Sequence, residues 1–270
     1  MSRTLTYLSV VGLLVLLGLG WTMTSQLPEG PPREVLLAGY ATNLRERTPS
    51  QRYNAQLAAQ AIDNRVIAPG AVFSFDRTVK SWSLDMGYVK APVSFNGELV
   101  PAFGGGVCQT SSTLYNAALL AGCIIVERHH HVFAPEYVTP GRDAAVAQYN
   151  IDLRFRNPYP WPIRIRTRVD NDRLEAQIFG SKPMPDHVEL VTRFISITRP
   201  QRLTSVVYRS PNHTYQPFIR NPGAVGYRIE TYRIFYKNGH EIRRERLGDD
   251  SYLSMNRVIQ LTEVKAPGGK

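Results

Sequence analysis

Cysteine is scarce in this 270-residue chain: Cys108 and Cys123 are the only two, and neither belongs to a Cys-x-x-Cys pair. That excludes a paired-cysteine zinc knuckle and a thioredoxin-like redox motif. Lysine is nearly as rare, supplying six of the 32 basic residues, so the net charge of +10 is an arginine charge. Arg154, Arg156, Arg164, Arg166 and Arg168 are spaced along apparent strands rather than packed into a run, which reads as a solvated sheet face. No helix-turn-helix, zinc finger or aromatic RNA-binding signature accompanies the charge, which argues against nucleic acid as a partner. Long apolar runs are absent but for one. Leu5 to Trp21 follows Arg3 and is nearly all apolar. As a helix it would rise about 25 Å, at the short end of a bilayer span.

The positive end of that segment should stay cytoplasmic, which places everything after Trp21 outside the membrane. No Ala-x-Ala site follows, so residues 1–24 are expected as a retained single-pass signal anchor in the cell membrane, with the main domain extracytoplasmic. The proline-rich stretch 25–34 then reads as a linker.

Two cysteines in an exported chain invite a disulfide. Between them, however, Thr110-Ser111-Ser112 offers helix-capping hydroxyls, and Leu114, Ala117, Ala118 and Ala121 share one helical stripe. Gly122 supplies a stop. Such a helix separates Cys108 from Cys123 by about 15 to 20 Å, too far for a bridge. Both thiols are expected to be free.

Elsewhere the pattern is α+β. Ser50 reads as the cap of a helix with Tyr53, Leu57, Ala58, Ala61 and Ile62 on its apolar stripe. Val72 to Phe75 reads as a strand, and Asn96-Gly97 as a hairpin turn. Cys123 to Val126 reads as a buried strand. Ile151 to Phe155, Ile163 to Val169 and Leu174 to Phe179 alternate as strands do. Lys237-Asn238-Gly239 joins a further hairpin. The break at Ser181 to Asp186 marks a boundary between a mixed domain, residues 35–182, and a small, mostly β module, residues 183–265. In the first, a cysteine-bearing helix packs on antiparallel sheet.

The chemistry-bearing residues gather around Cys108. A cysteine near a helix N-terminus gains thiolate character from unpaired N–H groups and the positive dipole end. Gly104, Gly105 and Gly106 precede it and allow tight turns, close substrate approach and oxyanion-stabilising N–H groups. The residues alone leave two readings open, an activated nucleophile and a small buried cysteine in a glycine turn. A nucleophile needs a base. Alternation puts His129 and His131 on one face of an extended segment that returns toward the helix start, with Asp143 or Asp152 as the orienting acid. Arg142 could clamp a substrate carboxylate or simply pair with Asp143. Three histidines near a cysteine also raise a metal reading, but the ligand spacing is not that of a zinc site. No metal and no cofactor are expected.

Several runs resemble the VanW family, found beside some glycopeptide-resistance genes. They are Phe73-Ser74-Phe75, Gly87-Tyr88, Ala91-Pro92-Val93, Gly97-Glu98-Leu99-Val100 and residues 104–122, GGGVCQTSSTLYNAALLAG. Glu127-Arg128-His129, His131, residues 140–144 and residues 152–157 extend the match. A weaker resemblance, through Asn221-Pro222-Gly223, Gly226-Tyr227 and Tyr236-Lys237-Asn238-Gly239, links the last module to the glycine-named wall-associated β domain. The resemblance implies work on peptidoglycan, as a cysteine-dependent L,D-transpeptidase that forms 3–3 cross-links between stem peptides. Cys108 would then be the acylated nucleophile and His131 or His129 the base, with Gly104, Gly105, Gly106, Gln109, Ser111, Ser112, Tyr115 and Arg142 around the substrate. Partners would be peptidoglycan stem peptides or wall glycans. The alternative is a non-catalytic wall-binding or scaffold protein associated with glycopeptide resistance.

Overall fold

Thr48 starts the first helix by accepting the Gln51 N–H, while the Gln51 side chain accepts the Thr48 N–H; Pro49 sits at the first helical position, where no N–H is needed. The cap is therefore Thr48, not Ser50, and Tyr53 lies half exposed rather than on the buried stripe. The protein is described from a computed structural model over residues 34–95, 98–205, 214–221 and 223–264. The expected anchor at residues 1–24 lies outside these, as do Asn96 and Gly97 of the first hairpin turn. No helix among the described residues is long and apolar enough to cross a membrane.

In chain order the elements are β1 (Val35–Asn43), α1 (Pro49–Ile62), β2 (Val66–Ile67), β3 (Val72–Ser74) and the short α2 (Phe75–Val79). Next come β4 (Lys90–Phe95), β5 (Glu98–Phe103), α3 (Val107–Leu120), β6 (Ile124–Glu127) and β7 (Arg154–Arg156). Then follow β8 (Ile163–Asp170), β9 (Arg173–Gly180), β10 (His187–Thr198), β11 (Arg202–Ser205) and β12 (Thr214–Asn221). The last are β13 (Gly226–Lys237), β14 (His240–Tyr252) and β15 (Arg257–Val264). The architecture is α+β and mostly β. One antiparallel sheet runs β1-β9-β8-β2, a second β3-β7-β6, and β4-β5 forms a hairpin. Two further sheets, β10-β13-β14 and β11-β15-β12, make up the C-terminal part, where β11 and β15 pair in parallel. Asn238 and Gly239 both take positive φ in the β13–β14 turn, as that two-residue hairpin requires.

The core lies where α3 crosses β1 and β9 with α1 beside it. Leu114, Ala117, Ala118 and Leu119 of α3 are fully buried with Phe75, Leu153, Phe155, Ile163 and Ile178. Gly122 follows α3 with a φ of +71° and helps end it. Further local expectations need correction: Phe75 opens α2 instead of ending a strand, and the strand expected from Ile151 to Phe155 is confined to Arg154–Arg156. Thr110, Ser111 and Ser112 do not cap the helix, because the glycine turn starts it earlier, with Gly106 at the cap and Val107 as the first residue. The stretch Cys123 to Val126 is not a buried strand: Cys123 is buried, but β6 is a sheet edge and leaves Ile124 and Val126 over two-fifths exposed.

Residues 181–186 join β9 to β10, and contacts cross this connection. Arg233 of β13 donates to the carbonyls of Leu119 and Cys123 at 3.3 and 2.7 Å, at the C-terminal end of α3. The Gly141 N–H donates to the Tyr252 hydroxyl at 2.8 Å.

Candidate active site

Cys108 occupies the second position of α3. The turn that places it there depends on glycine. Gly106 holds a φ of +111°, and a Cβ on it would fall 2.2 Å from the Gln51 carbonyl oxygen; one on Gly105 would fall 2.7 Å from that of Pro92. These glycines, with Gly104 against Trp82, let the turn pack on its neighbours, so their side-chain positions face protein rather than substrate. The Val107 and Gln109 N–H groups donate to Gly104 and Gly106 at 3.0 and 3.1 Å. The Cys108 N–H lies between them in the first turn of α3, where backbone donors lack intrahelical partners.

The segment Asp143 to Val146 runs beside this helix start. Ser111 donates to the Ala144 carbonyl at 2.6 Å, and the Ala144 N–H donates to Ser112 Oγ at 2.9 Å. The Val146 carbonyl lies 3.4 Å from the Cys108 sulfur. An antiparallel bridge between His129 and Ala145 lines up the histidine segment with it. His131 is thereby brought close enough to Cys108 for each to shift the other's titration. Its Nδ1 lies 2.6 Å from Asp143 Oδ2, which leaves Nε2 to face the sulfur.

Asp143 is fully buried and heavily bound. It accepts the His131 backbone N–H at 2.7 Å, Arg128 Nη2 at 3.0 Å, and the Tyr252 hydroxyl. Arg128 also reaches Asp250 Oδ2 at 2.6 Å. Tyr252 and Asp250 close the β13–β14 hairpin more than a hundred residues downstream, so the C-terminal sheet completes the acid's surroundings.

The electrostatics follow from these contacts. Burial would push the Cys108 thiol up, but the hydrogen bond and charge of His131 bring it below the ordinary thiol value. Burial opposes the charge on His131, yet Asp143 and the Cys108 thiolate raise it to about 10. Asp143 also meets a burial penalty, and His131, Arg128 and Tyr252 overcome it, holding the carboxyl down at about 2. The two shifts, down for the thiol and up for the imidazole, each favour the charged form of the pair. Cys123, without such a partner, is pushed up to about 12 by burial. Both cysteines are free.

Of the residues singled out from sequence, the fold brings together Cys108, His131 and Asp143. His129 does not join them: its ring pairs with Glu127 at 3.2 Å. Asp152 caps α2 through Ser74 and the Asp76 N–H. Gln109 is buried and donates to Thr42 and Asn43. Tyr115 is buried under Arg128, and Arg142 donates to the Leu190 carbonyl. Ser111 and Ser112 hold the Ala144 backbone. These last five frame the site instead of facing a ligand. Sequence reasoning missed Tyr137, whose buried hydroxyl sits beside Ser112 and Cys108 without a well-formed hydrogen bond. It also missed Tyr252 and Asp250, for which no local pattern gives a signal. Among the described residues no group of three or more His, Cys, Asp or Glu is placed to hold a metal.

The cysteine, histidine and aspartate all lie within residues 50–179, which match the family model described as VanW like protein. Residues 50–179 are a VanW-like domain. The chain is 44% identical over 145 residues to YoaR of Bacillus subtilis (strain 168), covering 54% of this chain and 48% of that one. It is 32% identical over 136 residues to the vancomycin B-type resistance protein VanW of Enterococcus faecalis (strain ATCC 700802 / V583), covering 48% and 49%. The matches thus span about half the length of these curated relatives. Two solved G5 domains also align. That of an IgA1 protease shares 18% identity with a TM-score of 0.19, over 28% of this chain and 88% of its own. HP0197-G5 shares 12% identity with a TM-score of 0.17, over 28% and 92%. Arg128, His131 and Asp143 belong to the VanW-like domain, whereas Tyr252 and Asp250 reach it from outside the matched span.

Proposed function

We propose that the VanW-like domain is a cysteine acyltransferase acting on peptidoglycan stem peptides in the cell envelope. The observation that carries this is the Cys108–His131–Asp143 chain, with the acid fully buried and the base held by it at 2.6 Å. This is the arrangement by which a cysteine nucleophile is activated and its base oriented. In this reading the Cys108 thiolate attacks the carbonyl of the amide after the third stem residue. The developing oxyanion meets the Cys108 N–H, and the C–N bond breaks as His131 gives its proton to the leaving amine. An acceptor amine then attacks the thioester and yields its proton to His131. The C–S bond breaks, and the thiolate and imidazolium are restored. The resistance protein among the relatives supports a cell-wall setting. Residues 1–24 would tether the domain beside nascent wall, and the C-terminal module would hold wall glycan.

The test is incubation of the protein with tetrapeptide muropeptides, read by mass spectrometry. The expected result is a thioester on Cys108 and cross-linked dimers, both lost in Cys108→Ala. No adduct in the wild type, or equal product from Cys108→Ala, overturns the acyltransfer reading in favour of a wall-binding scaffold.

A further inference from the structure

Beside the Cys108 site lies an arginine that has no anionic partner among the described residues. Arg47 sits in the loop between β1 and α1, and its backbone is pinned. Its N–H donates to the Leu44 carbonyl at 2.9 Å, and its carbonyl accepts Arg52 Nε at 3.0 Å. Its neighbours Arg45 and Arg52 both pair with Asp172, at 3.4 and 2.6 Å. Arg47 turns away from that cluster. Among the described residues it makes no ion pair, its side chain donates no hydrogen bond, and its Nε is buried without a partner. A part-buried guanidinium left unpaired carries an uncompensated desolvation cost, which an incoming anion would remove.

The place it turns toward is specific. The guanidinium lies 5.1 Å from the centre of the Tyr137 ring. The edge of that ring meets His131, 6.5 Å between centres, and its hydroxyl faces Ser112 and Cys108. Arg47 is therefore one aromatic ring removed from the thiolate–imidazolium pair. A peptide carbonyl at Cys108 and the carboxylate of the next residue are one residue of chain apart, and consecutive Cα atoms are spaced by about 3.8 Å. The planar fork of arginine suits a carboxylate bidentately, and the tyrosine face backs the fork. Arg142, the other arginine considered for this role, is occupied by the Leu190 carbonyl.

We propose that Arg47 is the carboxylate anchor of the Cys108 site, taking the free C-terminal carboxylate of a peptide whose last amide bond lies over the thiolate. This rests on the acyltransfer reading and sharpens it. The leaving group would be a single amino acid, and donors blocked or extended at the C-terminus would be rejected.

The test uses two alkylating agents of nearly equal shape, iodoacetate and iodoacetamide, on wild type, Arg47→Ala and Arg47→Lys. If Arg47 recognises carboxylate, Arg47→Ala lowers the iodoacetate rate at Cys108 by about fivefold, the factor for a charge contact of roughly 1 kcal/mol. The iodoacetamide rate should move less than twofold, and Arg47→Lys should recover part of the selectivity. An unchanged iodoacetate-to-iodoacetamide ratio in Arg47→Ala overturns the anchor, as does an equal loss with both agents. A second arm compares a tetrapeptide donor with its C-terminal amide. If neither acylates Cys108 while the alkylation ratio depends on Arg47, the acyltransfer reading fails and the carboxylate site stands. If both acylate equally, the anchor fails and acyl transfer stands.

Discussion

Replacing His131 with glutamine isolates what the imidazolium does for the thiol. In the wild type, two causes on Cys108 oppose each other: burial raises its pKa, and His131 lowers it through a hydrogen bond and a charge. Glutamine keeps a donor of similar size but removes the charge, leaving burial and the nearby Asp143 carboxylate, which both raise the thiol. Exchanging a hydrogen bond from a charged donor, worth about 1.5–3 kcal/mol, for a neutral one of about 0.5–1.5 kcal/mol loses about 1–1.5 kcal/mol, or roughly five- to tenfold in an equilibrium. Because alkylation proceeds through the thiolate, the iodoacetamide rate at pH 6 should fall by roughly that factor. The assay is mass-resolved alkylation of Cys108 from pH 5 to 10. It carries an internal control in Cys123, which is buried, raised to about 12, and should stay unlabelled while the fold holds. A wild-type rate that rises only near the ordinary thiol pKa, or a His131→Gln profile that overlays the wild type, refutes the ion-pair account.

Other outcomes follow from the same contacts. Tyr252→Phe removes the hydroxyl that binds Asp143 and accepts the Gly141 N–H, and should cost about 1–3 kcal/mol in urea unfolding, with slower acylation of Cys108. Gly106→Ala sets a Cβ against the Gln51 carbonyl at a φ of +111°, and should lower stability by about 2–4 kcal/mol, seen as a lower melting temperature. His131, raised to about 10, contributes stability that is complete below its unfolded pKa and lost as pH rises through about 10. Asp143, lowered to about 2, contributes stability that is present above its unfolded pKa and lost as pH falls through about 2. Melting temperature against pH should therefore decline at both ends, and Asp143→Asn should flatten the acid side.

Much of the fold was legible because its signals are local. The β8–β9 and β13–β14 hairpins announce themselves by alternation around Asp170-Asn171-Asp172 and Lys237-Asn238-Gly239. Helix α3 follows from its small apolar stripe and the glycines at its two ends. The errors arose where neighbours decide: β6 is as apolar as an interior strand, but among the described residues no strand pairs with its outer edge. Thr48 outcompetes Ser50 because it alone has Pro49 and Gln51 at the right offsets to close a capping box.

By itself the sequence determined that Cys108 stands at the start of a helix after a glycine turn, with histidines and Asp143 within chain reach, since spacing and backbone freedom are properties of the chain. Only the tertiary structure decided which histidine serves it. His129 and His131 share a face in an extended segment, but Asp143 lies under one and Glu127 beside the other. It also decided that the acid is held by Tyr252 and Arg128, and that Arg47 lies over Tyr137 with no ion pair among the described residues. A charge takes its meaning from what surrounds it in space, and the groups that surround these come from distant parts of the chain.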